Sequence, residues 1–197
     1  MKCSMSKQLA LFPLSSFILP GGKLKLRVFE KRYIRLVKEA GLAKRSFAMA
    51  LLNPFASQHH RDRILPLATE AVIDDFEQLA DGLLGITVRG VSRVEITDRW
   101  QEEDKLNVAT VTELNSWPEI RLSQRFPDLA RSFLQLLAEY PQLQQLYPEP
   151  ELDNASWLAS RWLELMPMQP GLKQKLSAEY DPLICLEGLQ NWLDHNA

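Results

Sequence analysis

The feature that most restricts the fold of this chain is a change of period near residue 115. Before it, apolar residues recur mainly at every second position, as in a half-buried strand; beyond it they recur at three and four, as on one face of a helix. The first pattern occupies runs at 9–14, 23–28, 46–52, 65–73, 84–96 and 106–114. Strands gathered into one part and helices into another, without regular alternation, predict an α+β fold. About six strands with short, turn-rich connections predict an antiparallel β pseudo-barrel over residues 1–116, followed by an α-helical bundle over 117–197.

Residues 9–40 read as strand, tight turn, strand, helix. Pro20 presets φ for the first inner position of a turn, and Gly21 can take the positive φ of a type II turn next, so the chain should reverse there. Leu24, Leu26 and Val28 alternate with Lys23, Lys25 and Arg27, which makes 23–28 a half-buried strand. Tyr33, Ile34, Val37 and Ala40 then share a helical face, with Glu30 in the first turn and Gly41 as the stop. Residues 46–52 are apolar on both faces and predict a central strand. The strand at 65–73 should give way to a short connection over 74–80. Asp81-Gly82 marks a hairpin, Gly90 a break, and 98–105 a polar turn holding Trp100.

Four helices are expected beyond Pro118. The first carries Leu129, Phe133, Leu136, Leu137 and Tyr140 between Pro127 and Pro141. The second is capped by Asp153, carries Trp157, Leu158, Trp162 and Leu165, and stops at Met166-Pro167. A third covers 170–179. The last starts at Asp181-Pro182 and buries Leu183, Leu186, Leu189 or Gln190, and Leu193. Trp157, Trp162 and Trp192 fall at helical spacing among leucines and are expected in the core, Trp100 and Trp117 partly exposed.

Several chemistries are excluded by what the 197 residues contain. Cys3 and Cys185 form no disulfide framework, and the three histidines, His59, His60 and His195, are not spaced to hold zinc, so no metal site and no cofactor are expected. There is no H-E-x-x-H, no G-x-S-x-G, no dinucleotide fingerprint and no phosphate loop, and Glu30 with Arg32 reads as structural. Pro13, Ser15 and Ser16 interrupt the one run that imitates an export signal, and no run approaches the ~20 apolar residues of a membrane span, so a reducing, cytoplasmic setting is expected.

The net charge is −2, unevenly spread: residues 1–63 hold thirteen Lys/Arg against three acids, the rest ten against twenty-two. Two readings follow. The halves pair internally, which the near-neutral total favours, or Lys23, Lys25, Arg27, Lys31, Arg32, Arg35 and Lys38 form a basic face for nucleic acid.

Leu11-Phe12-Pro13-Leu14, Leu19-Pro20-Gly21 and residues 24–33, L-K-L-R-V-F-E-K-R-Y, resemble the opening signature of the substrate-binding N-terminal domain of Lon proteases. Residues 81–96, D-G-L-L-G-I-T-V-R-G-V-S-R-V-E-I, are similar to its second signature; Trp157-Leu158-Ala159, the corner at 165–168, and Lys173-Gln174 with Leu176 resemble its helical part. The chain departs from the pattern at Lys25, where proline is frequent, at Ala68, where glycine is common before threonine, and at Cys185-Leu186, where Arg-Leu is usual. The resemblance implies a PUA-like barrel with a helical bundle and a non-catalytic module that engages unfolded or tagged polypeptide. A Lon protease adds an ATPase and a proteolytic part, of which this chain has neither motif, so a separate protease or chaperone is the implied partner. RNA binding, which related PUA-like barrels perform, is the alternative. Contacts are expected in a cleft between barrel and bundle, at Phe29, Tyr33 and Trp117.

Overall fold

All the period-two runs become strands of one sheet. The computed structural model describes residues 6–43, 45–57, 60–122 and 125–196, and the chain divides into two units, Met1–Ser116 and Trp117–Ala197. The first contains β1 (Ser6–Leu14), β2 (Lys23–Val28), α1 (Lys31–Ala43), β3 (Phe47–Leu52), β4 (Ile64–Gln78), β5 (Leu84–Gln101) and β6 (Asn107–Glu113). The strand order is β2-β5-β4-β3-β1-β6, and β6 also pairs with β5. Five strands thus form a closed circuit of ladders, with β2 added along the first half of β5.

The sheet is mixed rather than wholly antiparallel, because β1 and β3 run parallel, Leu11 opposite Ala48 and Leu14 opposite Leu51. A parallel pair needs a long crossover, which β2 and α1 together supply. As expected, β3 is central, and its alternate side chains enter different clusters. Phe47 and Met49 join Phe12, Tyr33, Leu36, Val37 and Ile86; Ala48 and Ala50 join Leu9, Leu11, Ala68, Val94, Ala109 and Val111. The second cluster uses alanine repeatedly where strands of the circuit face one another closely.

The turn at 19–22 forms as its sequence dictates: Gly21 has φ 77° and Gly22 N–H donates to the Leu19 carbonyl at 2.9 Å. It does not join paired strands, since β1 borders β3 and β6 whereas β2 borders β5. Instead it docks on β5. Gly21 N–H donates to Gly90 O and Gly90 N–H donates to Gly22 O, both at 2.9 Å, and Thr69 Oγ1 donates to Ile18 O at 2.6 Å. Gly90 interrupts the register but not the strand: β5 continues through it with an irregularity that sets Glu70 opposite Ser92 and Ala71 opposite Gly90, and glycine is required because a Cβ there would collide with the Leu19 carbonyl.

Other boundaries move for similar reasons. The connection expected over 74–80 is mostly strand, because β4 pairs with β5 up to Gln78 opposite Leu84, with an irregularity between Ile73 and Asp75 that lets the acids face water. Likewise β5 runs to Gln101, so Trp100 lies on a strand. Helix α1 begins after Glu30, whose carbonyl accepts from Tyr33 and Ile34, so Glu30 precedes the first turn instead of lying in it. The helix buries Tyr33, Leu36, Val37 and Ala40, leaving Ile34 exposed, and it continues past Gly41, against which the Phe76 ring packs.

Among its described residues the second unit holds five helices rather than four: α2 (Pro127–Glu139), α3 (Pro141–Leu146), α4 (Ala155–Leu165), α5 (Pro170–Ala178) and α6 (Pro182–Asn196). Pro141 both ends α2 and starts α3, since its fixed φ suits a first helical position. The cap of α4 is Asn154, not Asp153; its side chain accepts from the Ser156 and Trp157 N–H groups. Phe133 of α2 packs edge-on against Trp157 and Trp162, each with ring centroids 5.3 Å away. Leu129, Phe133 and Leu137 are buried while Tyr140 is exposed, and α6 buries Cys185, Leu186 and Leu189 rather than Leu183 or Leu193. Trp162 is buried; Trp157 and Trp192 are only half-buried.

Candidate functional site

A groove of about 1440 Å³ opens in the first unit. Its apolar side comes from Phe12, Leu14 and Leu26 at strand ends, Phe29 before α1, and Ile96 and Trp100 on β5. Phe29 is 67% exposed and Trp100 38%, so two large apolar side chains face solvent at a groove. Tyr33 is held behind them, its ring stacked on Phe12 at 4.1 Å and 9° with the Arg32 guanidinium 4.8 Å from its centroid. Burial raises the Tyr33 phenol above its ordinary value, against the lowering pull of Arg32.

Arginines supply the polar side. Arg32 donates to the Lys105 carbonyl at 3.1 Å and pairs with Glu30 at 2.7 Å, while its buried Nε has no partner among the described residues. After β3, a 3-10 turn at Arg61–Arg63 is started by His60, whose Nδ1 accepts from Asp62 N–H at 3.1 Å. Arg63 ties this loop down by donating to the Asn53 and Ala56 carbonyls at 2.7 and 3.3 Å. Arg99 donates to the Arg61 carbonyl; burial lowers its pKa, and the neighbouring Arg61 charge lowers it further. Arg27, Arg32, Arg61, Arg63, Arg99 and Lys105 face only Glu30, Asp62 and Asp98 in the lining. Such a surface can stack on or bury an apolar side chain and hydrogen-bond an extended backbone or an anion beside it.

Of the residues singled out from sequence, Phe29, Tyr33, Arg27 and Arg32 meet in this groove; Trp117 belongs to the second unit, where its Nε1 donates to the Glu179 carbonyl at 2.6 Å. The other basic positions are spread out. Lys23 lies 3.9 Å from Asp74, Arg27 pairs with Asp81, and Arg35 pairs with Glu102, with Asp104 at 2.8 Å and with Glu39 at 2.9 Å. Lys25, Lys31 and Lys38 are exposed. Much of the basic excess of residues 1–63 is thus answered by acids of the same unit, and divided at the unit boundary the formal charges are only +3 and −5. Arg61, Arg63, Arg99 and the rim position of Trp100 were not legible, because the loop and the strand end that carry them have no apolar period to mark which side faces inward.

Two polar networks lie elsewhere. Glu70 on β4 is buried and accepts from Lys7 Nζ at 2.6 Å, Ser92 Oγ at 2.9 Å and Ser46 Oγ. Burial alone would raise its pKa, but these three donors outweigh it and hold the carboxyl below its ordinary value. On α4, fully buried Arg161 pairs with Glu164 at 2.7 Å; nearby Lys173 donates to the Glu164 carbonyl at 3.1 Å, and burial brings its pKa down to about 8. No group of three or more metal-ligating side chains occurs among the described residues, and His59 lies outside them, as does Cys3. No described helix is long and apolar enough to cross a membrane.

A family model described as the ATP-dependent protease La (LON) substrate-binding domain matches residues 8–195. The fold is similar to the crystal structure of a Lon N-terminal domain protein from Xanthomonas campestris, with a TM-score of 0.74 and 31% identity over 94% of this chain and 98% of that one. It is also similar to the N-terminal domain of Mycobacterium avium complex Lon protease, with a TM-score of 0.63 and 18% identity over 94% and 97% of the two chains, a likeness of fold. No curated protein sequence matches.

Proposed function

Since the chain belongs to the family of Lon substrate-binding domains, we propose that it recognises unfolded or tagged polypeptide without catalysis of its own and presents it, in the cytoplasm, to a separate protease or chaperone. The observation that supports this reading is the groove of the first unit. It sets exposed Phe29 and Trp100 beside backbone-binding donors, which suits an extended segment with an aromatic side chain. Apolar burial then supplies most of the free energy, so binding of an uncharged client should depend little on salt.

RNA binding is the second reading, favoured by the excess of cations over acids in the same groove. Phosphate contacts release counterions, so RNA affinity would fall log-linearly as salt rises. A fluorescent, uncharged twelve-residue peptide with one phenylalanine and a single-stranded RNA of equal length, each titrated at about 50 and 200 mM salt, separate the two. The expected result is peptide affinity that changes less than about twofold with salt and weakens about tenfold in Phe29→Ala, with feeble, salt-sensitive RNA binding. Absence of peptide binding together with tight RNA binding overturns the proposal.

A further inference from the structure

The groove contains a cluster of charge that aromatic recognition does not use. Arg61, Arg63 and Arg99 all line it, and none has a carboxylate within 4.0 Å among the described residues. Their polar partners are backbone carbonyls: Arg63 holds those of Asn53 and Ala56, and Arg99 holds that of Arg61. Six other cations of the unit, Lys7, Lys23, Arg27, Arg32, Arg35 and Arg89, each pair with an acid. Arg61 and Arg99 repel one another, Asp62 offsets this only in part, and a ligand carboxylate relieves the rest while taking two parallel N–H donors from a planar fork. Trp100 follows Arg99 on β5 and lines the same groove, so a charged and an aromatic contact are offered within a few residues of extended chain.

Resting on the recognition reading above, we infer that this end of the groove takes Asp or Glu side chains of the bound polypeptide, and that the module selects segments in which acids lie close to an aromatic residue. Aromatic burial supplies a salt-tolerant base affinity; the arginines add an increment that salt screens.

Three twelve-residue peptides test it, identical in a Gly/Ser background with one Phe, and carrying Asp, Asn or Lys at the same three positions. Anisotropy titrations should rank them Asp, Asn, Lys. The Asp form should bind about tenfold tighter than the Asn form at about 50 mM salt and about threefold tighter at 200 mM. Arg61→Gln should shrink the low-salt gap between the Asp and Asn peptides to about threefold, and Arg61→Lys, which keeps the charge but not the planar fork, should restore only part of it. Circular dichroism checks that both variants keep the fold. Equal binding of Asp and Asn peptides overturns the acid selectivity and leaves polypeptide recognition standing. A twelve-nucleotide RNA bound more tightly than the Asp peptide overturns it in favour of phosphate. Binding of none of these probes removes both this inference and the recognition reading.

Discussion

Glu70 illustrates how much a single side chain can organise. It is 7% exposed on a central strand and gathers donors from three other places in the sequence, Lys7, Ser46 and Ser92. Its folded-state pKa lies below its unfolded value, so the folded state resists protonation. The resulting stability is fully present above the unfolded value, about 4.3, and is lost as pH falls through the lower folded value. Glu70→Gln is expected to cost about 2 kcal/mol at pH 7, because Lys7 loses its carboxylate, and to flatten the fall of melting temperature below about pH 5. A variant whose melting temperature falls as steeply as the parent's between pH 5 and 3 would exclude this role. Nothing in the sequence marked the position: it sits inside an apolar run, and Lys7 is 63 residues away. Phe29 and Tyr33 stand in a local motif that sequence alone singles out, whereas the groove arginines come from the loop after β3 and the far end of β5 and meet only in the folded unit.

At the scale of elements, local chemistry was legible and pairing was not. Pro20-Gly21 announced its turn, the Asp-Gly hairpin formed with Gly82 at φ 81°, and the amphipathic helices appeared close to their expected places. The break expected at Gly90 is a register irregularity inside a continuous β5, at a glycine that also admits a neighbouring backbone. Placing Val at Gly21 should destabilise the fold by about 1 kcal/mol or more, as a β-branched residue is strained at φ 77°. Urea unfolding measures it; an unchanged midpoint would mean that the turn relaxes without loss. The cost extends beyond the turn, because Gly21 N–H is also one of the bonds that fasten this loop to β5.

For the whole molecule, the change of period gave the α+β class, and the ordered motifs gave the family. The parallel β1–β3 ladder was beyond reach, since alternation reports which face is buried and not which strand lies alongside. As a recognition module the purified protein should neither hydrolyse ATP nor cleave unfolded casein, with or without magnesium; turnover that tracks the protein peak through repurification would contradict this. The order of ladders also bears on how the chain emerges from the ribosome. β1 is made first, yet Ser6 waits for Thr112 and Leu9 for Ala109, about a hundred residues of translation later. Throughout that interval one edge of an apolar strand has no neighbour to claim it, a template for pairing with another nascent chain. Lys7, placed on that strand, puts a charge on the edge while its last partner is still being synthesised.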